Sequence, residues 1–457
     1  MKELPFKFKE RMIELLGKEE YALFEDSILN KSNIRGLRVN TKKISVEKFL
    51  KINPYKLEKL SFNNDGFILK DDEVQMGGEV FHQAGMFYMQ DPSAMIPINS
   101  IQIKKDWRVL DLCAAPGGKT SQISNQLSDG FVIANDIKFD RCKALVFNIE
   151  RLGLENVIIT SSDCTSLCKN FKNYFDMVLI DATCSGEGMF RKNPNLISTW
   201  SEKNIKRCCD IQKSLLSDAS KILKKNGILV YSTCTFSLEE NEQMICEFLA
   251  NNSFELLSVN KDVEKVTVSG YTVNKDYDCS KMRRRYPHMN VGEGQFVAVM
   301  KKIESDGEER NNFNKNKSFI PDIVFDFLND VEVKIEKERL FNKSNKIWIL
   351  PKPDLILKNN VVSYGVKLGT IDNNKFTPDH AFFMTFGNQF KNKIDLETDN
   401  YRLKLYLEGK SIKVPIKNGY GVIQVEGCTL GGFYRKNNIL TSLYPSNLTN
   451  KDIFNKL

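Results

Sequence analysis

At 457 residues, 41% of them hydrophobic, the chain is long enough for about three domains, each with a sizeable core. No apolar run approaches the roughly 20 residues that span a bilayer, and the charged start Met1-Lys2-Glu3-Leu4-Pro5-Phe6-Lys7 has no signal-peptide core, so a soluble, cytoplasmic protein with no membrane partner is expected. The net charge is +8 and the excess is local: from Lys343 onward there are 17 Lys and Arg against 9 Asp and Glu. That basic end fits either a polyanion-binding module or a solvated lysine-rich face.

Eleven cysteines without a repeated spacing, together with only three histidines, argue against a disulfide framework, a zinc ribbon or any metal site. Most of the cysteines are expected to be small buried hydrophobes.

In chain order, Phe8 to Leu16 carries apolar residues at helical spacing and stops at Gly17, and a second helix follows from Tyr21 to Leu29. Arg35-Gly36-Leu37-Arg38-Val39-Asn40 reads as a short strand with two arginines available for RNA or for solvent, and Val46 to Ile52 as a helix. The glycine-punctuated, aromatic stretch from Gly77-Gly78 to Ser93 leads into the main domain.

From there strand and helix alternate, the mark of an α/β fold with a mostly parallel sheet. The strands expected are Arg108-Leu112, Phe131-Asn135, Val157-Thr160, Met177-Ile180 and Ile228-Ser232, closed by an antiparallel Gln295-Met300. Lys301 to Lys317 has no apolar period and reads as a linker. The end of the chain, with short strands such as Ser411 to Ile416 and Gly421 to Val425 between glycine turns, points to a small β-barrel. Pro415 sets its first strand at an edge or bulge.

The first strand runs into Asp111-Leu112-Cys113-Ala114-Ala115-Pro116-Gly117-Gly118-Lys119-Thr120. A strand-to-helix turn with paired glycines lets the backbone approach a ligand and aims free N–H groups at it. Gly118-Lys119-Thr120 ends like a phosphate loop, but the glycine needed five residues earlier is Cys113, and the three-glycine dinucleotide spacing is missing.

Three acids follow successive strands: Asp136, Asp163 and Asp181. Each alone fits a helix cap or turn. Three at the ligand-binding ends of a parallel sheet point to adenosine, with Asp136 placed for ribose hydroxyls and Asp163 for an adenine amino group.

Cys184 and Cys234 end the fourth and fifth strands and so face the same crevice. Ser237-Leu238-Glu239-Glu240 has the capping-box pattern and is expected to open a helix just after Cys234. Singly, each cysteine fits a packed core thiol. As a pair beside an adenosine site they call for sulfur chemistry. A thiolate adding at cytosine C6 makes C5 nucleophilic, Asp181 near N3 stabilises the adduct, and a second cysteine near C5 assists release.

Together, Asp111 to Thr120, Asp181-Ala182-Thr183-Cys184-Ser185-Gly186 and Ser232-Thr233-Cys234-Thr235-Phe236 resemble the signature blocks of the Sun-type RNA cytosine-5 methyltransferases. Arg284 to His288 with Gly292 to Phe296 resembles the family's closing block. The C-terminal extension resembles that of the bacterial small-subunit ribosomal RNA branch, an RNA-binding barrel of the pseudouridine-synthase-and-archaeosine-transglycosylase (PUA) type. The chain departs from the pattern at Thr183, where the family usually has proline.

The resemblance implies a Rossmann-like methyltransferase domain at 96–302 that uses S-adenosylmethionine. It is preceded by an N-terminal α/β RNA-recognition layer at 1–95. After it come a linker at 303–318, a small mixed module at 319–394 and a β-rich, PUA-like domain at 395–457. It makes Cys234 the nucleophile, Cys184 the cysteine that aids release and Asp181 a third catalytic group. It places Cys113, Ala114, Ala115, Pro116, Gly117, Gly118, Lys119, Asp136, Asp163 and Asp181 at the cofactor. The expected substrate is small-subunit ribosomal RNA, acted on by a monomer. The alternatives are the same chemistry on transfer RNA, or an RNA-binding ribosome assembly factor without turnover.

Overall fold

The computed structural model describes residues 3–70, 79–305, 307–311, 313–351, 355–358, 360–414, 417–446 and 448. Gly77-Gly78 and Pro415 lie outside these. No helix among the described residues is long and apolar enough to cross a membrane.

The centre is a large mixed sheet. Its principal strands are β1 (Arg108–Asp111), β2 (Phe131–Asn135), β3 (Val157–Thr160), β4 (Phe175–Asp181), β5 (Leu223–Thr233) and β6 (Gln295–Lys302). They lie in the order β6-β5-β4-β1-β2-β3, all parallel except β6, which runs antiparallel to β5. Short strands extend the β6 side: Phe254–Leu257 and Arg283–Arg285 pair with β6, and Val268–Ser269 pairs with Arg283–Arg285. Helices cover both faces, so both must be apolar. Leu110, Ile133, Val178 and Tyr231 enter one core layer, while their neighbours Val109, Val132, Leu179 and Val230 enter the other. β1 has β2 on one side and β4 on the other. Strand order reverses there, and such a switch point opens a crevice beyond the carboxyl ends of the strands.

The N-terminal helices Phe6–Leu16 and Lys18–Leu29 meet at Gly17. Their apolar faces do not join the N-terminal sheet. Phe8, Met12 and Phe24 pack with Phe190 and Phe236, in the loops that follow the fourth and fifth strands, and with Tyr286, just after the strand Arg283–Arg285. The sheet itself is antiparallel, in the order Leu57–Lys59, Gly66–Leu69, Arg35–Val39, Phe87–Met89. Arg38, expected to be available for RNA, is buried. Its Nη2 donates to Ser121 Oγ at 2.7 Å and its Nε to Gln90 Oε1 at 3.2 Å. It ties this sheet to the helix that follows β1.

The 303–318 segment is more ordered than a linker. Arg310–Asn311 pairs with Phe171–Lys172, and Glu309 accepts from the Arg108 guanidinium at 2.7 and 3.1 Å. Farther on, Val361–Ser363 pairs antiparallel with β3 and covers the edge of the central sheet. The last strands, Lys393–Asp395, Gly419–Val425, Cys428–Lys436, Ile439–Ser442 and Ile412–Lys413, make one five-stranded sheet with two free edges. The expected barrel is thus an open half-barrel. It shares a core with the N-terminal layer: Leu37, Phe49, Phe67 and Phe87 lie in one cluster with Leu403, Ile423, Leu430 and Phe433.

Candidate active site

A cleft of about 330 Å³ opens at the switch point. Its floor is the turn after β1. Gly117 takes φ +109°, a left-handed conformation that glycine adopts without strain, and starts the helix Gly118–Gln126 with no side-chain cap. The first amides of that helix therefore remain available to a ligand. Gly118 lies against Tyr88 and Gln90, where a Cβ would approach to 3.2 and 3.5 Å. The cleft is lined by Cys113, Ala114, Ala115, Pro116, Gly118, Lys119, Asp181 and Cys234, together with Asp111, Arg141, Lys192 and Glu293.

Asp181, ending β4, is held from two sides. Lys119 Nζ lies 2.7 Å from its Oδ2, and Ser232 Oγ donates to Oδ1 at 2.7 Å. Register explains this contact, since Ser232 stands directly opposite Asp181 in the β4–β5 pair. Asp111 is almost fully buried at the end of β1. One oxygen accepts from Thr120 Oγ1 at 2.7 Å, and among the described residues the other has no side-chain partner. Burial pushes its carboxyl up to about 7, partly opposed by the Thr120 hydrogen bond. Asp111 was not among the expected site residues. The sequence signal for it is a carboxylate following the apolar pair Val109-Leu110 immediately before the turn.

The other two aspartates sit differently. Asp136 is buried outside the cleft lining, paired with Arg141 at 3.0 Å, and it is Arg141 that reaches the cleft. Asp163 is exposed and caps the short helix Cys164–Cys168, its Oδ1 accepting from Ser166 N at 2.9 Å. Hydrogen bonding from the Ser166 hydroxyl, and then from its amide, holds the carboxyl below the usual range. The three acids thus do not converge on one lining in this conformation. Gly117, within the turn, is not in the lining.

Cys184 and Cys234 do converge, with their sulfurs 3.3 Å apart. Cys234 lines the cleft and Cys184 stands behind it. Contact with the Cys234 sulfur and burial both push the Cys184 thiol well up, favouring its neutral form. Gly188, with no side chain, comes close enough for its N–H to donate to Cys234 O at 2.7 Å. The helix after Cys234 is Glu242–Asn251, later than the capping-box pattern implies. Ser237 Oγ is engaged by Glu239 at 2.7 Å, and Glu240 turns inward to the Cys184 loop. Cys234 therefore does not sit at a helix start.

These residues fit S-adenosylmethionine, which is cationic at sulfur and nitrogen and anionic at its carboxylate. The Asp111 oxygen without a side-chain partner among the described residues meets a cation, the uncapped helix start meets a carboxylate, and no phosphate is required.

Comparison with known proteins agrees. Residues 99–301 match the family described as 16S rRNA methyltransferase RsmB/F, and residues 4–92 match the N-terminal domain of 16S rRNA methyltransferase RsmF. The ribosomal RNA small subunit methyltransferase F of Shewanella piezotolerans is 30% identical over 443 residues, covering 91% of each chain. That of Vibrio vulnificus is 30% identical over 480 residues, covering 98% of this chain and 97% of its own. Among solved structures, a methyltransferase homolog protein from Pyrococcus horikoshii aligns with a TM-score of 0.57 at 31% identity, over 65% of this chain and 95% of its own. With a cleft made for a methyl donor, two facing cysteines and these matches along its length, the chain belongs to the 16S rRNA methyltransferase RsmB/F family, in its RsmF branch.

Proposed function

We propose that this protein methylates C5 of a cytosine in 16S ribosomal RNA of the small subunit, with Cys234 as nucleophile, Cys184 as the release cysteine and Asp181 as the group that steadies the base. The 3.3 Å contact between two strand-end cysteines at the rim of a cofactor cleft carries this reading. S-adenosylmethionine bound in the cleft supplies an electrophilic methyl group.

The Cys234 thiolate bonds to C6, and the C5–C6 π electrons move toward C5, which becomes nucleophilic. Asp181, held in place by Lys119 and Ser232, offers a charge-assisted hydrogen bond to the base edge. After methylation C5 gives up its proton to water, the C–H electron pair restores the double bond, and the C6–sulfur bond breaks with its pair leaving on the Cys234 thiolate. Cys184 faces the sulfur that must leave. Asp111 and the Gly118–Gln126 helix start would hold the two ends of the methionine portion, and the Asp136–Arg141 pair would have to open for a ribose. The target cytosine must be unstacked to reach the cleft. One chain supplies every group named here, so the working unit is taken as a monomer, acting in the cytoplasm.

The test is incubation with labelled cofactor and small ribosomal subunits, naked ribosomal RNA or transfer RNA, followed by mapping of 5-methylcytosine. Label in small-subunit RNA is expected. Label in transfer RNA alone would reassign the substrate, and cofactor binding without any transfer would leave an assembly factor.

A further inference from the structure

Two glutamates that the reaction above does not use bind the cysteine loops to each other. Glu187, after Cys184, accepts from Phe236 N at 2.9 Å on Oε2 and from the Trp200 indole at 2.8 Å on Oε1. Glu240, after Cys234, accepts on Oε2 from Ser185 N at 3.0 Å and from the Gln212 amide at 2.9 Å. Each loop thus sends a carboxyl group to an amide of the other. Two hydroxyls join them: Glu240 Oε1 to Ser185 Oγ is 2.5 Å, Ser185 Oγ to Thr235 Oγ1 is 2.7 Å, and Thr235 Oγ1 to Glu187 Oε2 is 2.8 Å. All four side chains are buried.

Each of these three oxygen–oxygen contacts is of hydrogen-bond length and needs a proton. Ser185 and Thr235 supply two. Two ionised carboxylates supply none, and the nearby N–H donors are committed to other lone pairs. Glu240 Oε1 is the carboxyl oxygen without an N–H donor, and its neighbour, a hydroxyl, can accept. We infer that Glu240 holds a third proton, so that Glu240 donates to Ser185, Ser185 to Thr235 and Thr235 to Glu187, and that Glu187 and Glu240 are positioning residues which keep the two sulfurs in register. This deepens the reading of Cys184 and Cys234 as the reacting pair and rests on it.

The surroundings agree. Among the described residues neither carboxyl forms an ion pair. The groups facing Glu240 are Glu187, Cys184 and Tyr231, with Cys208 and Cys209 from the helix Glu202–Ile222. The nearby Arg11 guanidinium is taken by Glu239 at 2.6 Å. Burial and the Glu187 charge raise the Glu240 carboxyl to about 7. A folded pKa above the unfolded one gives a contribution that is full at acid pH and lost as pH rises through the folded value. The brace therefore slackens on the alkaline side.

The first test needs no turnover. In the wild-type protein labelled with carbon-13 at the glutamate carboxyl carbons, two resonances are expected to titrate near neutrality, those of Glu240 and of the buried Glu150 beside Asp379, and only the first to be absent from Glu240→Gln. If Glu240→Gln loses no resonance that titrates near neutrality, the shared proton is absent, whatever the cysteines do. The second test is turnover. The amide of Glu240→Gln replaces the O–H donor without titrating, so the ratio of its rate to that of wild type should rise about tenfold from pH 6 to pH 8.5. Ser185→Ala, which interrupts the chain, should lower kcat and leave the cofactor KM in place. Parallel pH profiles for wild type and Glu240→Gln would overturn the inference.

Discussion

The sulfurs of Cys184 and Cys234 lie 3.3 Å apart although fifty residues separate them in the chain. Cys234 is at the cleft and Cys184 behind it, so the two thiols are not equivalent. Removing Cys184 should leave addition to C6 intact and slow the departure of sulfur. Cys184→Ala is expected to accumulate RNA bound covalently to Cys234, seen as a denaturant-stable shift on a gel. Cys234→Ala should show no such band, and normal methylation by that variant would refute its assignment as nucleophile.

Asp181 is fixed by one cation and one hydroxyl, each at 2.7 Å. Asp181→Asn keeps the shape and removes the charge. Single-turnover methylation should slow by about a hundredfold, the usual size of one lost transition-state electrostatic contact. A wild-type rate would remove Asp181 from the chemistry.

Asp111 gives a pH signature. Its folded pKa is up at about 7 against 3.8, so its stabilising contribution is complete below the ordinary carboxyl range and is lost as pH rises through about 7. A cationic ligand prefers the ionised form. Calorimetric affinity for S-adenosylmethionine should therefore tighten about tenfold between roughly pH 6 and pH 8, and Asp111→Asn should flatten the curve. An equal slope in both proteins would place the cofactor's cation elsewhere.

Arg191 and Glu293 form a buried pair, with Nε 3.0 Å from both carboxylate oxygens and Nη2 donating to Gly292 O at 2.9 Å. The pair ties the Cys184 loop to a wall of the cleft. Arg191→Met removes the cation hydrogen-bonded to the buried Glu293, leaving only Lys192 nearby, and should cost about 3 kcal/mol in denaturant unfolding. A cost below about 1 kcal/mol would class the pair with exposed ion pairs.

The parallel sheet was plain in the sequence because its strands are short apolar runs bounded by turns. Phe131–Asn135 and Val157–Thr160 end where expected, and Phe175–Asp181 and Leu223–Thr233 only run longer. Side-chain direction was less legible. Arg38 has the composition of an RNA contact, yet it points inward to Ser121, a partner 83 residues away. Glu240 fits a capping box locally, but its real partners, Ser185 and Gln212, come from other elements. Asp163 keeps its local role as a cap. Local patterns report local hydrogen bonds well, whereas a buried polar group whose partner is distant in sequence leaves no periodic trace.

The single core shared by the N-terminal layer and the C-terminal half-barrel bears on synthesis. Lys48 Nζ reaches Glu426 O at 2.7 Å across 378 residues, and Phe49 and Phe87 lie in one cluster with Ile423 and Phe433. The opening hundred residues leave the ribosome long before the strands that complete their interior exist. Contacts this distant form late and carry the largest loop-closure cost. A growing chain thus keeps part of its first layer unsealed until the strand Cys428–Lys436 has emerged. An enzyme that modifies ribosomal RNA waits, in its own synthesis, for more than three hundred further residues before its first layer is sealed.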